Sequence, residues 1–301
     1  DDSDSSDGST LTSLGCGDPS PRPGCYVSFR PGGPTGQDAH MTTMPAAFIG
    51  HGNPMNTLLQ NRYTEAWRTF GATIERPRAI LAISAHWYIN ASAVTAMERP
   101  RTIHDFFGFP DELFAYQYPA PGSAELAARV AEAAQPMWVG SDVDSWGLDH
   151  GTWSVLAHMF PEADIPVVQL SVDAGKPLDH HVALGARLAP LRDEGVLVIA
   201  SGNVVHHLGE VVWGMDEQGF DWAQRFDDDA AELMRTAPGD ITRLAGHADY
   251  AHAVPTPDHF LPLLYIAGLA AADDSPVDVM LSGCTLGSLS MTSYTVGSPA
   301  A

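Results

Sequence analysis

Three apolar runs that each lead into a histidine constrain the fold of this chain more than any other feature of its sequence. They occupy residues 46–51, 79–86 and 196–206, and each passes through Gly, Ser or Asn before its histidine. A continuous apolar run bounded by Gly or Ser is typical of a strand that is buried on both faces, and such strands belong to parallel sheets. The sequence therefore predicts a parallel sheet with a histidine just beyond three strand ends.

These three histidines are His51, His86 and His206, and they lie far apart along the chain. Open α/β sheets bind their ligands beyond the carboxyl ends of the strands, so we expect the three side chains to converge there. Neutral imidazole is the commonest metal ligand in proteins. The pattern predicts a metal site, although each histidine taken alone is also compatible with a hydrogen-bonded loop residue.

Segments with helical periodicity alternate with the apolar runs. The predicted helices cover residues 56–70, 123–135, 177–192, 221–236 and 259–271. The predicted strands cover residues 46–50, 79–85, 166–172, 196–201 and 277–282. Ser123 is a suitable N-cap for the second helix. The alternation predicts an α/β fold in a single domain, with a mostly parallel central sheet flanked by helices.

The first 43 residues differ from the rest because they mix Asp, Ser, Gly and Pro without apolar periodicity. This composition predicts a disordered, acidic, Gly/Pro-rich tail at residues 1–43 and a folded domain at 44–301. We expect a cytoplasmic protein, since the tail lacks the pattern of a secretory signal and the three cysteines form no disulfide framework.

Charge and motifs exclude several classes of partner. A formal net charge of −22 argues against nucleic acid and against an anionic membrane surface, because both are polyanions. No apolar run approaches the roughly 20 residues that span a bilayer. The sequence contains no GxGxxG or GxxxxGK[ST] motif for nucleotides and no GxSxG nucleophile elbow.

Two further histidines, His150 and His259, have turn residues before them and helical sequence after them. A histidine at a helix start stays neutral because the helix dipole lowers its pKa, which suits a metal ligand or a general base. The remaining histidines from His104 onward lack this context, and we assign them to the surface, to packing or to contacts behind the site: His104, His158, His180, His181, His207, His247 and His252.

The connection at 100–122 is rich in Phe, Tyr, Pro and Gly and is too apolar for a solvated linker. We interpret it as a lid or pocket wall. Its aromatic side chains, with Trp87 and Trp153, either cover a flat substrate or pack in the core.

Seven ordered motifs resemble those of the 4,5-DOPA extradiol dioxygenases, within the class III (LigB-type) ring-cleaving dioxygenases. The resemblance covers about residues 44–297. The motifs are GHGNPMN at 50–56, SAHW at 84–87, IHDFFGFP at 103–110, YPAPG at 118–122, LDHGTW at 148–153, SGNVVH at 201–206 and HFLPLL at 259–264. The resemblance implies a LigB-like catalytic domain.

The resemblance also implies a ligand set. His51 and His86 match metal ligands, and His259 stands at or near the position where class III enzymes supply a glutamate. The usual non-haem iron site has two histidines and one carboxylate, whereas Asp258 is the only carboxylate adjacent to His259. One divalent metal per chain is implied, either Fe(II) for catalysis or Zn(II) as bound in the purified protein.

Two catalytic roles follow from the same resemblance. His206 matches a residue that is either a further metal ligand or the active-site acid/base. His150 matches a second active-site histidine that hydrogen-bonds the substrate or oxygen.

The implied reaction is extradiol cleavage of a catechol such as L-DOPA by O2 to a muconic semialdehyde. Either the 4,5 or the 2,3 bond is compatible with the sequence. The partners expected are a small catechol and O2, in a monomer or small homo-oligomer. The positive groups that we expect to be available for a substrate carboxylate are Arg99, Arg101, Lys176 and the histidines.

Two other functions are compatible with the residues. In a zinc hydrolase, a metal-bound water would be the nucleophile, with His150 or His206 as base. In a non-enzymatic LigB-like metal-binding or signalling module, no catechol would be turned over.

Overall fold

The computed structural model describes residues 43–297. The predicted tail at 1–43 lies, except for Thr43, outside the described residues. Ten strands are found in this range: β1 (Ala46–Gly50), β2 (Ala79–Ile89), β3 (Ala93–Thr95), β4 (Gly140–Asp142), β5 (Val167–Asp173), β6 (Val196–Gly202), β7 (Val277–Leu281), β8 (Cys284–Thr285), β9 (Leu289–Ser290) and β10 (Ser293–Val296).

The same range contains eight α-helices and four 3-10 segments. The α-helices are α1 (Arg62–Thr73), α2 (Asp111–Ala115), α3 (Ala124–Ala133), α4 (His150–Met159), α5 (Leu178–Leu188), α6 (Asp221–Thr236), α7 (Tyr250–Ala253) and α8 (Leu261–Asp273). The 3-10 segments are Pro54–Thr57, Ala189–Glu194, Leu208–Glu210 and Pro238–Gly246.

Eight of the strands form one sheet in the order β4-β3-β5-β2-β6-β1-β10-β7. The four central strands, β5, β2, β6 and β1, pair in parallel. The edges contain antiparallel pairs, β1 with β10, β10 with β7, and β3 with β5. Gly50 lies opposite Gly202, and Ser84 lies opposite Ser201, so the carboxyl ends of β1, β6 and β2 reach the same edge. The predicted α/β fold with a mostly parallel centre is confirmed.

The sheet has a hydrophobic core on each face because successive residues of a strand point to opposite sides. In β2, Ile80 and Ala82 pack with α1 and α4, whereas Leu81 and Ile83 pack with α3, α5, α6 and α8. All four side chains are buried, which explains why the run is continuously apolar. The helices thus form two layers around the sheet.

Helices α5 and α8 approach closely at two glycines. A Cβ on Gly185 would fall well inside van der Waals contact with the Tyr265 carbonyl oxygen, and a Cβ on Gly268 would do the same with the Val182 carbonyl oxygen. Each helix therefore supplies a glycine where the other helix's backbone passes.

Several boundaries differ from the predicted ones, including the end of α5, which lies at Leu188 rather than at residue 192. The helix predicted at 56–70 begins at Arg62, because Pro54–Thr57 forms a 3-10 turn and Asn61 then caps α1 by accepting from the backbone N–H groups of Tyr63 and Thr64. The strand predicted at 79–85 continues to Ile89. Ser123 is confirmed as the N-cap of α3, where its hydroxyl accepts from the Leu126 N–H at 3.0 Å.

Short strands on either side of the central parallel strands were not predicted. In β10, buried Ser293 and Thr295 alternate with Tyr294 and Val296, so the segment lacks a continuous apolar run. Its role is nevertheless clear, since the Ser293 hydroxyl accepts from the Gly50 N–H at 3.0 Å and supports the end of β1. Among the described residues, no helix is long and apolar enough to cross a bilayer.

Candidate metal centre and active site

A cavity of about 450 Å³ opens at the carboxyl edge of the parallel strands. The structure brings all five sequence-predicted site histidines to its lining: His51, His86, His150, His206 and His259. Their convergence follows from the shared edge of β1, β2 and β6 and from the start of α4 beside it.

Backbone contacts at the end of β6 fix two of these residues. The His51 N–H donates to the Gly202 carbonyl at 3.1 Å, and the Asn203 N–H donates to the His259 carbonyl at 2.9 Å. Gly202 is required at this point because a Cβ there would collide with the His259 carbonyl oxygen. The Gly-Asn sequence after the strand therefore ties His259, which precedes α8, to His51, which follows β1.

Three of the imidazoles form a compact triangle. The ring centroids of His51 and His86 are 5.1 Å apart, those of His51 and His259 are 5.3 Å apart, and those of His86 and His259 are 4.9 Å apart. The Nε2 atoms of His51 and His86 lie only 3.2 Å from each other. Two nitrogens that face each other at this distance suit a shared cation.

Acceptors behind His51 and His259 set which nitrogen of each ring is free. His51 Nδ1 lies 2.9 Å from the Ser201 hydroxyl, which itself donates to the Gly151 carbonyl at 2.6 Å and so accepts from His51. His259 Nδ1 contacts the Asp258 carboxylate. Both rings therefore carry their proton on Nδ1 and leave Nε2 free, as metal-binding histidines do.

The Asp105 carboxylate contacts the Nδ1 atoms of two further rings, those of His150 and His86. Asp105 Oδ1 accepts from His150 Nδ1 at 2.9 Å, and Asp105 Oδ2 lies 2.9 Å from His86 Nδ1. Burial disfavours the ionised carboxylate, but the contacts with His150 and His86 outweigh it and hold the pKa of Asp105 well below its usual value. Asp105 is thus an anion that orients two imidazoles.

The sequence analysis quoted the motif that contains Asp105 but did not assign this residue a role. No periodicity distinguishes an aspartate in an irregular aromatic segment. The available signal was its place between His104 and Phe106 in the IHDFFGFP motif.

Asp149 is a second buried carboxylate, and it does not line the cavity. Asp149 caps α4, accepts from the Ser84 hydroxyl at 2.6 Å and contacts the Gln169 side-chain amide. Burial, followed by repulsion from Asp105, raises the pKa of Asp149. The Ser84 oxygen also accepts from the His86 N–H at 3.2 Å, so this network fixes the strand segment that presents His86.

Burial is the largest cause of a lowered pKa at His51, His150, His206 and His259, and the pKa of His150 is about 4. Neighbouring histidines add to this effect, because a second positive charge in the cluster would be repelled. His86 differs: burial lowers its pKa, but Asp105 and Asp149 outweigh burial and raise it. The cluster therefore offers mainly neutral imidazoles, the form that binds a metal.

The donor atoms fall into two groups that could hold a metal. Those of His51, His86 and His150 lie within 4.8 Å of one another, and so do those of His206, Asp258 and His259. The rings of His206 and His259 are stacked, with centroids 3.5 Å apart and planes within 5° of parallel. The lone pair of an imidazole nitrogen lies in the plane of its ring, so the lone pairs of these two stacked rings are not directed at one another. The chemistry of the set fits a divalent ion with nitrogen ligands.

The predicted pocket wall at 100–122 is confirmed in part. Phe106, Phe107 and Phe109 line the cavity, and Phe107 is 92% exposed. Trp87 and Trp153 are buried in the protein, where they stack on Trp146 and Tyr116 respectively, so their role is packing. The remainder of the apolar wall was missed, because its residues come from loops, a short 3-10 segment and the two-residue strand β9: Leu208, Val211, Trp213, Leu286 and Leu289.

Of the positive groups expected to meet a substrate carboxylate, histidines line the cavity, whereas the three named cations do not. Arg99, Arg101 and Lys176 are absent from its lining, and within residues 43–297 the lining contains no lysine or arginine. Arg101 instead donates to the Ser145 carbonyl at 2.6 Å.

The fold and this histidine-lined cavity agree with a comparison against protein families. The model of the catalytic LigB subunit of aromatic ring-opening dioxygenases matches residues 39–297. The chain belongs to this family of ring-opening dioxygenases, which are oxidoreductases.

Its relatives include proteins with more specific names. A 4,5-DOPA dioxygenase extradiol of Escherichia coli K12 is 47% identical over 260 residues, covering 85% of this chain and 96% of that protein. A 4,5-DOPA dioxygenase extradiol of Beta vulgaris is 38% identical over 259 residues, covering 82% and 94%. The crystal structure of an uncharacterized protein from E. coli K12 matches with a TM-score of 0.73 at 42% identity, covering 84% of this chain and 100% of that one.

Proposed function

We propose that this chain is a metal-dependent extradiol dioxygenase that opens the ring of a catechol such as L-DOPA with O2. The product would be a muconic semialdehyde of the 4,5-seco-DOPA type. The strongest support is the set of imidazoles in one cavity that are held at Nδ1 by an acceptor and free at Nε2. The names of the relatives suggest both DOPA and the 4,5 bond.

We assign His51, His86 and His259 as the residues that hold one divalent ion. Their ring triangle and their three acceptors, Ser201, Asp105 and Asp258, support this choice. When bound, Fe(II) supplies a binding site for the catechol oxygens and for O2 and a path for electrons from the ring to oxygen. The same nitrogen donors also accept Zn(II), so purified protein is expected to contain either metal.

We assign proton transfer to His150 and His206. A catechol that binds a metal through both oxygens must lose a proton, and a neutral imidazole can accept it. Asp105 fixes the proton of His150 on Nδ1, which leaves Nε2 of His150 available to the substrate. The His206 ring stacks on the His259 ring and so lies beside the proposed ligands, and we assign its lone pair to the substrate.

The apolar wall would hold the flat ring and exclude water. Phe106 contacts the His150 ring edge-on, with centroids 5.5 Å apart, and so joins the wall to the acid/base. Exclusion of water strengthens the electrostatic interactions among the buried histidines and Asp105. A catechol ring is expected to lie between this wall and the histidines.

A zinc hydrolase remains the second candidate, because an all-histidine donor set suits zinc. It differs from the dioxygenase in the source of the oxygen atoms that enter the product. A hydrolase takes oxygen from water, whereas a dioxygenase takes both atoms from O2.

Isotope labelling tests the proposal. Iron-loaded protein is given L-DOPA under ¹⁸O2 in ordinary water, and the product is examined at early times by mass spectrometry and NMR. A ring-opened product that carries label from ¹⁸O2 supports dioxygenation, and NMR distinguishes 4,5 from 2,3 cleavage. Label that enters only from H2¹⁸O in the reciprocal experiment would support the hydrolase instead.

A further inference from the structure

A third group of metal-type donors lies behind the cavity wall and includes none of the five cavity histidines. It consists of His207, Glu210 and His252, whose donor atoms lie within 4.8 Å of one another. We propose that these residues form a second divalent-cation site that accepts zinc. Two histidines and one carboxylate are a common donor set for zinc, which completes its coordination with water.

A short turn carries two of the donors. His207 immediately precedes the 3-10 turn Leu208–Glu210, and Glu210 ends it. The Glu210 N–H donates to the His207 carbonyl at 3.1 Å, which closes the turn and keeps the two residues close together. His252 comes from α7, and its Nε2 lies 2.8 Å from Glu210 Oε1.

The proton positions suit a metal. His207 Nδ1 lies 3.0 Å from the His252 backbone carbonyl, which can only accept a hydrogen bond. The proton of His207 is therefore on Nδ1, and its Nε2 lone pair is free. A backbone carbonyl that fixes the tautomer in this way is a usual partner of a metal-binding histidine.

Packing and backbone hydrogen bonds hold the two histidine donors in place. The His252 ring stacks on Trp222, with centroids 4.0 Å apart and planes within 15° of parallel. The backbone of His207 is paired with Ser288, since its N–H donates to the Ser288 carbonyl at 3.1 Å and its carbonyl accepts from the Ser288 hydroxyl at 2.8 Å. A bound ion would therefore find two ligands that are already ordered, which lowers the entropic cost of binding.

The position of the site gives it a consequence for the cavity. Leu208 and Val211 flank the turn and line the cavity, whereas His207, Glu210 and His252 do not. An ion held by Glu210 and His252 would cross-link this wall segment to α7. Zinc binding at this site is thus expected to restrict one wall of the cavity without replacing the metal within it.

Metal counting tests the proposal independently of turnover. Protein is dialysed against buffered Zn(II), and bound zinc per chain is measured by inductively coupled plasma mass spectrometry. Wild type should bind a second equivalent, and Glu210→Gln and His252→Ala should each weaken that equivalent by at least about tenfold. His51→Ala should lose the catalytic equivalent and keep the second one.

Asp229→Asn is the matched control. It breaks a histidine–carboxylate contact of similar length, between His247 and Asp229 at 2.9 Å, that belongs to no three-donor group among the described residues. This variant should keep both equivalents. The proposal is overturned if wild type binds a single equivalent, or if the second equivalent survives both Glu210→Gln and His252→Ala. Neither result would bear on catechol cleavage, because no substrate is present.

Discussion

Single atoms decide the chemistry of the centre, because each imidazole has two nitrogens with different tasks. Ser201, Asp105 and Asp258 take the Nδ1 protons, and the Nε2 atoms are left for a metal or a substrate. In the proposed assignment, the residues that would hold an ion are therefore distinct from the residues that orient them. Substitutions at these positions should have different effects on metal content and on turnover.

His51→Ala and His86→Ala are expected to abolish tight metal binding. Each removes one Nε2 of the facing pair, and the remaining donors no longer enclose an ion. Metal content after dialysis, measured with circular dichroism as a check of folding, tests this. Stoichiometric catalytic metal in both folded variants would contradict the ligand assignment.

His150→Ala and His206→Ala should instead retain the metal and lose turnover. Removal of a general acid or base reduces rates by roughly 10²–10⁴-fold. The comparison requires metal content and kcat for each variant alongside wild type. If His206→Ala loses its metal together with its activity, then His206 is a ligand, and the acid/base role that we assign to it is wrong.

Asp105→Asn tests the residue that the sequence analysis overlooked. An asparagine has one side-chain oxygen, which accepts from one of the two Nδ1–H groups. Its NH2 group then faces the other Nδ1–H group, so either His86 or His150 loses its acceptor. Loss of such an orienting partner costs about 10–100-fold in metal affinity.

Chelator competition gives the dissociation constant of the Asp105 variant. The control is Asp164→Asn, an exposed aspartate that pairs with Arg76 at 2.7 Å. Equal metal affinity and equal turnover in Asp105→Asn and Asp164→Asn would show that Asp105 has no orienting role.

At the scale of elements, the close approach of α5 and α8 depends on glycines. Gly185→Ala and Gly268→Ala should each lower the free energy of unfolding by about 1–3 kcal/mol, because the added Cβ meets a backbone carbonyl that cannot move alone. Urea denaturation provides the measurement. Gly246→Ala is the control, since a Cβ there meets no atom within 4 Å, and its effect should stay within about 0.5 kcal/mol.

The elements also show what the sequence could predict. Long buried strands such as β2 and β6 were found because a strand covered on both faces is continuously apolar. Strand β10 was missed, since the hydrogen bond that the Ser293 hydroxyl accepts from Gly50 leaves no periodic signal in the sequence. The start of α1 was missed because it is set by the Asn61 cap, which also leaves no such signal. Boundaries and edges are set by such local contacts rather than by hydrophobic pattern.

The site residues likewise divide into those that a sequence pattern predicts and those that it does not. His51, His86 and His206 were predicted because the carboxyl ends of parallel strands meet at one edge, whatever their distance in sequence. Asp105 and the loop residues of the wall, such as Trp213, depend on how irregular segments fold over that edge. Those paths are determined by tertiary packing, which a single sequence does not reveal.

The whole molecule should lose stability in acid, in part because His181 is buried in neutral form. Burial lowers the pKa of His181 to about 4, whereas an unfolded histidine titrates near 6.5. Between these values the unfolded chain binds more protons, so this contribution is complete above pH 6.5 and is lost as the pH falls toward 4. One group contributes a slope of at most about 1.4 kcal/mol per pH unit.

The measurement is the unfolding free energy of metal-free wild type and His181→Gln between pH 7 and pH 4. Asp227 acts in the opposite direction, since burial raises its pKa to about 6, so only the difference between the two proteins isolates His181. The slope should be shallower in His181→Gln, while His180→Gln, at its half-buried neighbour, should retain most of it. Identical slopes in wild type and His181→Gln would rule out this source of acid sensitivity.

We propose that one iron held by His51, His86 and His259 enables this protein to open a catechol ring with O2. The most direct test of this proposal is oxygen uptake, recorded together with absorbance, by protein that has been stripped of metal and reloaded anaerobically with Fe(II) or with Zn(II) before L-DOPA is added. We expect one O2 consumed for each catechol, with a yellow product, in the iron-loaded sample alone. No uptake with iron across L-DOPA and simpler catechols, or equal turnover with zinc in the absence of O2, would contradict the account.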